Sequence, residues 1–159
     1  MKPEIIINAE TLERLVKRSR TNPRKRELEL FRSSENGIIP AMMFNSLQLG
    51  SYVQPHKHPK DGREIVIPYR GSVRTILFDE EGKIIGHYDI SREKVAFIEL
   101  PGDTYHGYLA LEPDFLMCEM YTGIYNPNTY KNFAKWAPSE SDSEEIKNAF
   151  LEELLRKTS

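Results

Sequence analysis

The 159-residue sequence holds one cysteine, one tryptophan and four histidines, and it has no long apolar run. A lone Cys118 excludes an intrachain disulfide scaffold and agrees with a reducing compartment. No stretch approaches the roughly 18 apolar residues of a membrane span, and the Ile5-Ile-Ile7 run is too short for a signal peptide. A cytoplasmic protein without membrane insertion is therefore expected. Neither charge sign dominates: Lys plus Arg total 22 against 24 for Asp plus Glu, a net of −2, which gives no support to broad attraction for nucleic acid. The length is that of one domain able to bury a real core, and neither an internal repeat nor a low-complexity segment interrupts it.

What is present begins with a short amphipathic helix over residues 8–19, where Asn8 is a suitable N-cap and Leu12, Leu15 and Val16 recur at helical spacing. From Leu28 to Thr122 the pattern becomes short β-prone runs: Ser51–Gln54, Glu64–Tyr69, Val73–Phe78, Ile84–Asp89, Val95–Leu100, His106–Leu111 and Phe115–Tyr121. Turn signals such as Glu80-Glu-Gly82 and Glu112-Pro113-Asp114 divide them. Many short strands in close succession predict an all-β sandwich or small barrel. Ser141 and Glu144 have capping-box spacing, and a last helix with Ile146, Phe150, Leu151, Leu154 and Leu155 on one face is expected to follow. The boundaries read as an N-terminal helix and arm over 1–27, a barrel over 28–125, and a loop and helix over 126–159 packed on the barrel.

Three of the four histidines fall into a pattern, Gly50-x5-His56-x-His58-x5-Glu64-x6-Gly71 and later Pro101-Gly-Asp-Thr-Tyr-His106. Side chains two apart on a strand share a face, so His56 and His58 point the same way, close enough to bind one ion together. Imidazole and carboxylate are good ligands for first-row divalent metals, and three His with one Glu leave an octahedral ion open positions. The expected cofactor is one divalent ion, Fe, Mn, Zn or Ni, held by His56, His58, Glu64 and His106. Asp61 is a rival carboxylate, although spacing to Gly71 favours Glu64. Gly50 and Gly71 stand where turns favour a residue without Cβ.

The arrangement resembles the two cupin motifs, which imply a jelly-roll, or double-stranded β-helix, barrel with the metal inside one end. More specifically, the stretches Pro23-Arg-Lys-Arg26, Asn45–Pro59, Pro101–His106, Ala110-Leu-Glu-Pro113 and Phe133-Ala-Lys-Trp136-Ala-Pro138 resemble the WbuC family of cupin-fold metalloproteins. That resemblance implies work on carbohydrate in bacterial O-antigen, lipopolysaccharide or other surface-polysaccharide metabolism. The sequence departs from the general cupin pattern in three places. Five residues separate His58 from Glu64, Asp103 stands where Gly is usual, and Ala110 stands where Asn is common.

Around the metal, alternation places Tyr52 and Gln54 on the face of His56, provided no bulge intervenes. In Phe115–Tyr121, Glu119 and Tyr121 share a face, while Leu116, Cys118 and Met120 read as core. Glu119, Tyr121 and Tyr52 are the candidates for proton transfer, and Gln54, Arg24 and Arg26 for substrate binding. Guanidinium groups match phosphate oxygens in bidentate geometry. Trp136 is expected to pack the C-terminal segment onto the barrel.

The leading expectation is a metal-dependent enzyme on a sugar or nucleotide-sugar derivative, of isomerase or epimerase type, with a small carbohydrate-related molecule as partner and a homodimer as the assembly to test. The same ligands also suit an oxygen-using Fe(II) cupin, or a non-enzymatic carbohydrate-binding or regulatory module.

Overall fold

In the computed structural model, which describes residues 5–33 and 38–159, two antiparallel five-stranded sheets face each other. The first has the order β1(Arg26–Arg32)–β2(Ala41–Leu47)–β9(Phe115–Tyr121)–β4(Arg63–Arg70)–β7(Ile98–Pro101). The second runs β10(Asn132–Phe133)–β3(His56–Lys57)–β8(Tyr105–Ala110)–β5(Val73–Phe78)–β6(Ile84–Ile90). Apart from the β1–β2 and β5–β6 hairpins, successive strands alternate between the sheets, as the expected cupin-type jelly roll requires. No helix among the described residues is long and apolar enough to cross a membrane.

Helix α1 (Ala9–Thr21) forms where the apolar spacing predicts it, and the Asn8 side chain accepts a hydrogen bond from the Thr11 amide at 2.9 Å. Its buried Leu12, Leu15 and Val16 pack on Phe44 and Leu116 of the first sheet. Helix α2 (Glu144–Thr158) is capped by Ser143, whose hydroxyl accepts from the Ile146 amide. This corrects the expected Ser141 box, because Ser141 is engaged with Ser139 in the preceding turn. Only part of the expected apolar face is covered: Leu151 and Leu154 are buried with Tyr105 and Leu109, whereas Ile146 and Leu155 are exposed.

Between the sheets lies an apolar layer of Leu47, Val66, Val73, Ile90, Leu100, Phe115 and Met117. Strand β9 is covered on both faces. Its Phe115, Met117, Glu119 and Tyr121 face points into the barrel, while Leu116 is covered from outside by α1. Strand β8 is buried on both faces: Tyr105 and Leu109 join the α2 side, and His106 and Tyr108 point inward. One end of the barrel is filled by the apolar layer. The other is left to polar side chains.

Ser51–Gln54, expected as a strand, is irregular together with Pro55, and regular pairing begins only at His56. Pro55 explains the delay, since it has no N–H to donate to a ladder. Gly50 and Gly71 have positive φ of 72° and 70°, as the turns they occupy require.

Candidate metal centre and its cavity

The four motif residues converge. His56 pairs with His106 across the β3–β8 ladder, with ring centres 4.6 Å apart, and His58 follows one residue after β3. Glu64 comes from β4 in the facing sheet. One donor atom from each of the four lies within 4.8 Å of the others, and all four residues are buried. Glu64 therefore fills the carboxylate position, and the rival Asp61 is exposed outside the cluster. The departure at Asp103 is absorbed by its neighbour: a Cβ on Gly102 would collide with the carbonyl oxygens of Pro59 and Gly62. That close approach also lets the His58 amide donate to Gly102 O at 2.6 Å.

Each imidazole has its Nδ1 against a backbone carbonyl: His56 to Gln54 O at 3.0 Å, His58 to Tyr130 O at 2.7 Å and His106 to Thr104 O at 3.1 Å. A carbonyl only accepts, so every Nδ1 carries a proton and every Nε2 turns inward; that of His58 meets Glu64 Oε2 through a shared proton, which a bound ion would displace. The Nε2 atoms of His56 and His106 are buried without a hydrogen-bond partner among the described residues. Leaving a buried acceptor unanswered costs about 1–3 kcal/mol. A cation would answer both at once, and the four donors lie close enough to share one ion. The residues thus fit one divalent ion in N3O coordination.

Electrostatics agree with that donor set. Burial holds the His56 imidazole well below its ordinary pKa, with the nearby Lys131 charge adding to the effect, so the ring stays neutral. Burial alone would raise the Glu64 pKa, but the adjoining His106 and His58 imidazoles outweigh it and hold the carboxylate well below its ordinary range. His58 Nε2 contacts Glu64 Oε2 directly. Although burial works against a charged His58, that contact and the Tyr130 carbonyl raise its pKa. His106 Nε2 lies 3.2 Å from the same oxygen without the angle of a hydrogen bond. The other oxygen, Oε1, accepts from the Tyr108 hydroxyl at 2.5 Å.

A cavity of about 360 Å³ opens beside His56, bounded by Asn45, Tyr108, Met117, Glu119 and Phe133. Glu119 is fully enclosed. Its Oε2 accepts from Asn45 Nδ2 at 2.5 Å, and its buried Oε1 has no partner among the described residues. Burial, reinforced by the Glu64 charge, pushes the Glu119 carboxyl up to about 7.

Of the other residues picked from sequence, Arg24 and Arg26 line this cavity, with Arg26 held by Glu140 at 2.8 Å and by Tyr52 O. Three do not reach it. Tyr52 packs on Phe150 and donates its hydroxyl to Pro138 O at 2.5 Å, and the Gln54 side chain donates to Ala134 O at 3.0 Å. Both were placed by strand alternation, which the irregular 51–55 segment does not obey. Tyr121 shares the Glu119 face but lies behind His58, with ring centres 5.0 Å apart and its hydroxyl against Gly62 and Gly123.

Sequence reasoning missed Tyr108, Asn45, Tyr130 and Lys131. Tyr108 could have been found, because it follows His106 by two on one strand. Asn45 is opposite Met117 in the β2–β9 ladder, a pairing no local pattern reveals. Tyr130 and Lys131 arrive through an irregular segment that closes over β3, where β10 pairs Phe133 with His56. Trp136 behaves as expected, packing on Phe78 and Tyr105 at 5.0 and 5.8 Å between ring centres.

A jelly roll with three histidines and a glutamate gathered in one end is a cupin-fold protein with a candidate metal centre. Within that class the chain belongs to the family described as Domain of unknown function (DUF6016), whose profile matches residues 7–90, more than half of the sequence. No curated protein matches the chain in sequence. Several solved structures share its fold. An RmlC-like cupin protein from Desulfovibrio desulfuricans is 18% identical, with a TM-score of 0.52 over 76% of this chain and 95% of that one. Protein SO0799 from Shewanella oneidensis is 11% identical, with a TM-score of 0.60 over 80% and 85%. The capsular polysaccharide assembling protein CapF from Staphylococcus aureus is 17% identical, with a TM-score of 0.60 over 70% of this chain. This chain corresponds to only 32% of CapF.

Proposed function

We propose that the protein is a metal-dependent enzyme acting on a sugar or sugar derivative, with isomerase- or epimerase-like proton transfer, in bacterial surface-polysaccharide metabolism. The observation that carries this reading is the pairing of two unlike sites. A donor set of three imidazoles and one carboxylate stands beside a cavity walled by a separate buried carboxyl, Glu119. A simple structural site would need the first but not the second.

A divalent ion held by His56, His58, Glu64 and His106 supplies Lewis-acid polarisation of a substrate oxygen. The chain's own groups divide the remaining work. The backbone carbonyls of Gln54, Tyr130 and Thr104 fix the ring orientations. Asn45 holds one oxygen of Glu119 and leaves the other without a partner among the described residues, on a side chain that walls the cavity and can serve as acid or base. With its carboxyl raised to about 7, Glu119 can both take and return a proton near neutrality, which an epimerisation needs. Met117, Leu28 and Phe133 make the cavity partly apolar, which strengthens charge interactions inside it.

The carbohydrate assignment draws support from the WbuC-like stretches of the sequence and from the shared fold with CapF, a capsular polysaccharide assembling protein. Solvent-exchange NMR tests it. The metal-loaded protein, incubated in D2O with nucleotide sugars and their keto derivatives, should wash deuterium into one carbon-bound position, and Glu119→Gln should slow this at least about 100-fold. Oxygen consumption with no deuterium incorporation would transfer the site to the oxygen-using class.

A further inference from the structure

The basic run before β1 does not form one surface. Arg18 pairs with Glu29 at 2.5 Å, Arg20 with Asp114 at 2.5 Å and Arg26 with Glu140 at 2.8 Å. Arg24 lines the cavity and makes no ion pair among the described residues. Lys131 enters the same cavity from the opposite end of the chain, just before β10. Its ammonium lies 5.2 Å from the Tyr130 ring centre, and it too makes no ion pair among the described residues. It is close enough to the centre for its charge to act on His56, His58 and Glu119.

None of the carboxylates lining the cavity forms an ion pair with Arg24 or Lys131 among the described residues. Glu140 holds Arg26, Glu27 accepts from Asn22 Nδ2 at 3.0 Å, and Glu119 accepts from Asn45. Two cations from separate segments therefore face the same partly apolar cleft without an ion pair among the described residues. Cations so placed can take up a small anion. The roles differ by chemistry: a guanidinium can take two oxygens side by side, while an ammonium acts as a point charge.

We propose that Arg24 and Lys131 form an oxyanion-binding pair, so that the ligand of this cavity is a sugar-sized molecule carrying a carboxylate or phosphate group. A volume of about 360 Å³ accommodates a sugar ring with its charged substituent. The sugar part of this assignment rests on the carbohydrate reading above. The anion part rests on the two cations alone.

Calorimetric titration of the full-length protein with glucose, glucuronate, glucose 6-phosphate and inorganic phosphate separates these parts. At least one of the two charged sugars should bind about tenfold or more tighter than glucose, and which one does so tells carboxylate from phosphate. Lys131→Gln and Arg24→Gln should each weaken that binding about tenfold, and Lys131→Arg should restore much of it. Glucose binding as tightly as either charged sugar, or Gln variants binding like the unaltered protein, would overturn the oxyanion pair while leaving the carbohydrate reading intact. Inorganic phosphate matching glucose 6-phosphate, with binding lost in Lys131→Gln, would support the pair and remove the sugar reading. Absence of binding by all four would overturn the proposal.

Discussion

The Tyr108 hydroxyl donates to Glu64 Oε1 at 2.5 Å, which leaves Oε2 as the oxygen facing His58 and His106. Two neighbouring inward positions of β8 thus serve the centre differently, His106 as a ligand and Tyr108 as the group that turns another ligand. The arrangement favours monodentate use of Glu64, which keeps positions free on an octahedral ion. Removing the hydroxyl should loosen the carboxylate without opening a large cavity. Tyr108→Phe is expected to fold normally and to lose about 10–100-fold in metal affinity, measured by chelator competition. Unchanged affinity would mean that Tyr108 serves only packing.

Glu119 links stability to pH in the metal-free protein. Its carboxyl is raised to about 7 against an unfolded value near 4.5, so between those values the folded chain binds more protons than the unfolded one. Stability must then fall as pH rises from 4.5 to 7, with nothing further lost above the folded value. For a shift of this size the full effect is about 3 kcal/mol. Glu119→Gln should flatten this part of the profile. Denaturant titrations of both proteins at pH 5 and pH 8 should show the variant gaining on the parent at pH 8, and equal pH slopes would refute the assignment.

Gly102 joins the fold to the site. A Cβ there meets the backbone oxygens of Pro59 and Gly62, neither of which is the end of a flexible side chain. Gly102→Ala is expected to cost about 2–4 kcal/mol by chemical denaturation and to weaken metal retention, because the displaced loop carries the His58 amide contact. Normal stability and metal content in this variant would show that the loop can shift freely.

The sequence was informative where one periodicity governed. Val73–Phe78 and Phe115–Tyr121 are strands at those bounds, and the spacing of His56, His58, Glu64 and His106 foretold their convergence. It misled where local alternation was extended through Pro55, which moved Tyr52 and Gln54 onto the wrong side. It was silent where partners come from distant segments. The Tyr130 carbonyl reaches His58 across 72 positions, and Asn45 reaches Glu119 across 74. Such contacts are fixed by sheet order and by the closing segment, and no short pattern encodes them.

The central claim is that these four side chains hold one divalent ion on a fold that stands without it. The barrel has its own apolar layer, and both helices bury leucines against it, so loss of the ion should remove only the stability linked to binding. Metal analysis of the purified protein and of His58→Ala, paired with thermal unfolding, tests this most directly. The account predicts about one first-row divalent ion per chain in the parent, almost none in the variant, and a cooperative transition in both. A variant that kept its full metal content, or that unfolded outright when the ion was lost, would contradict it.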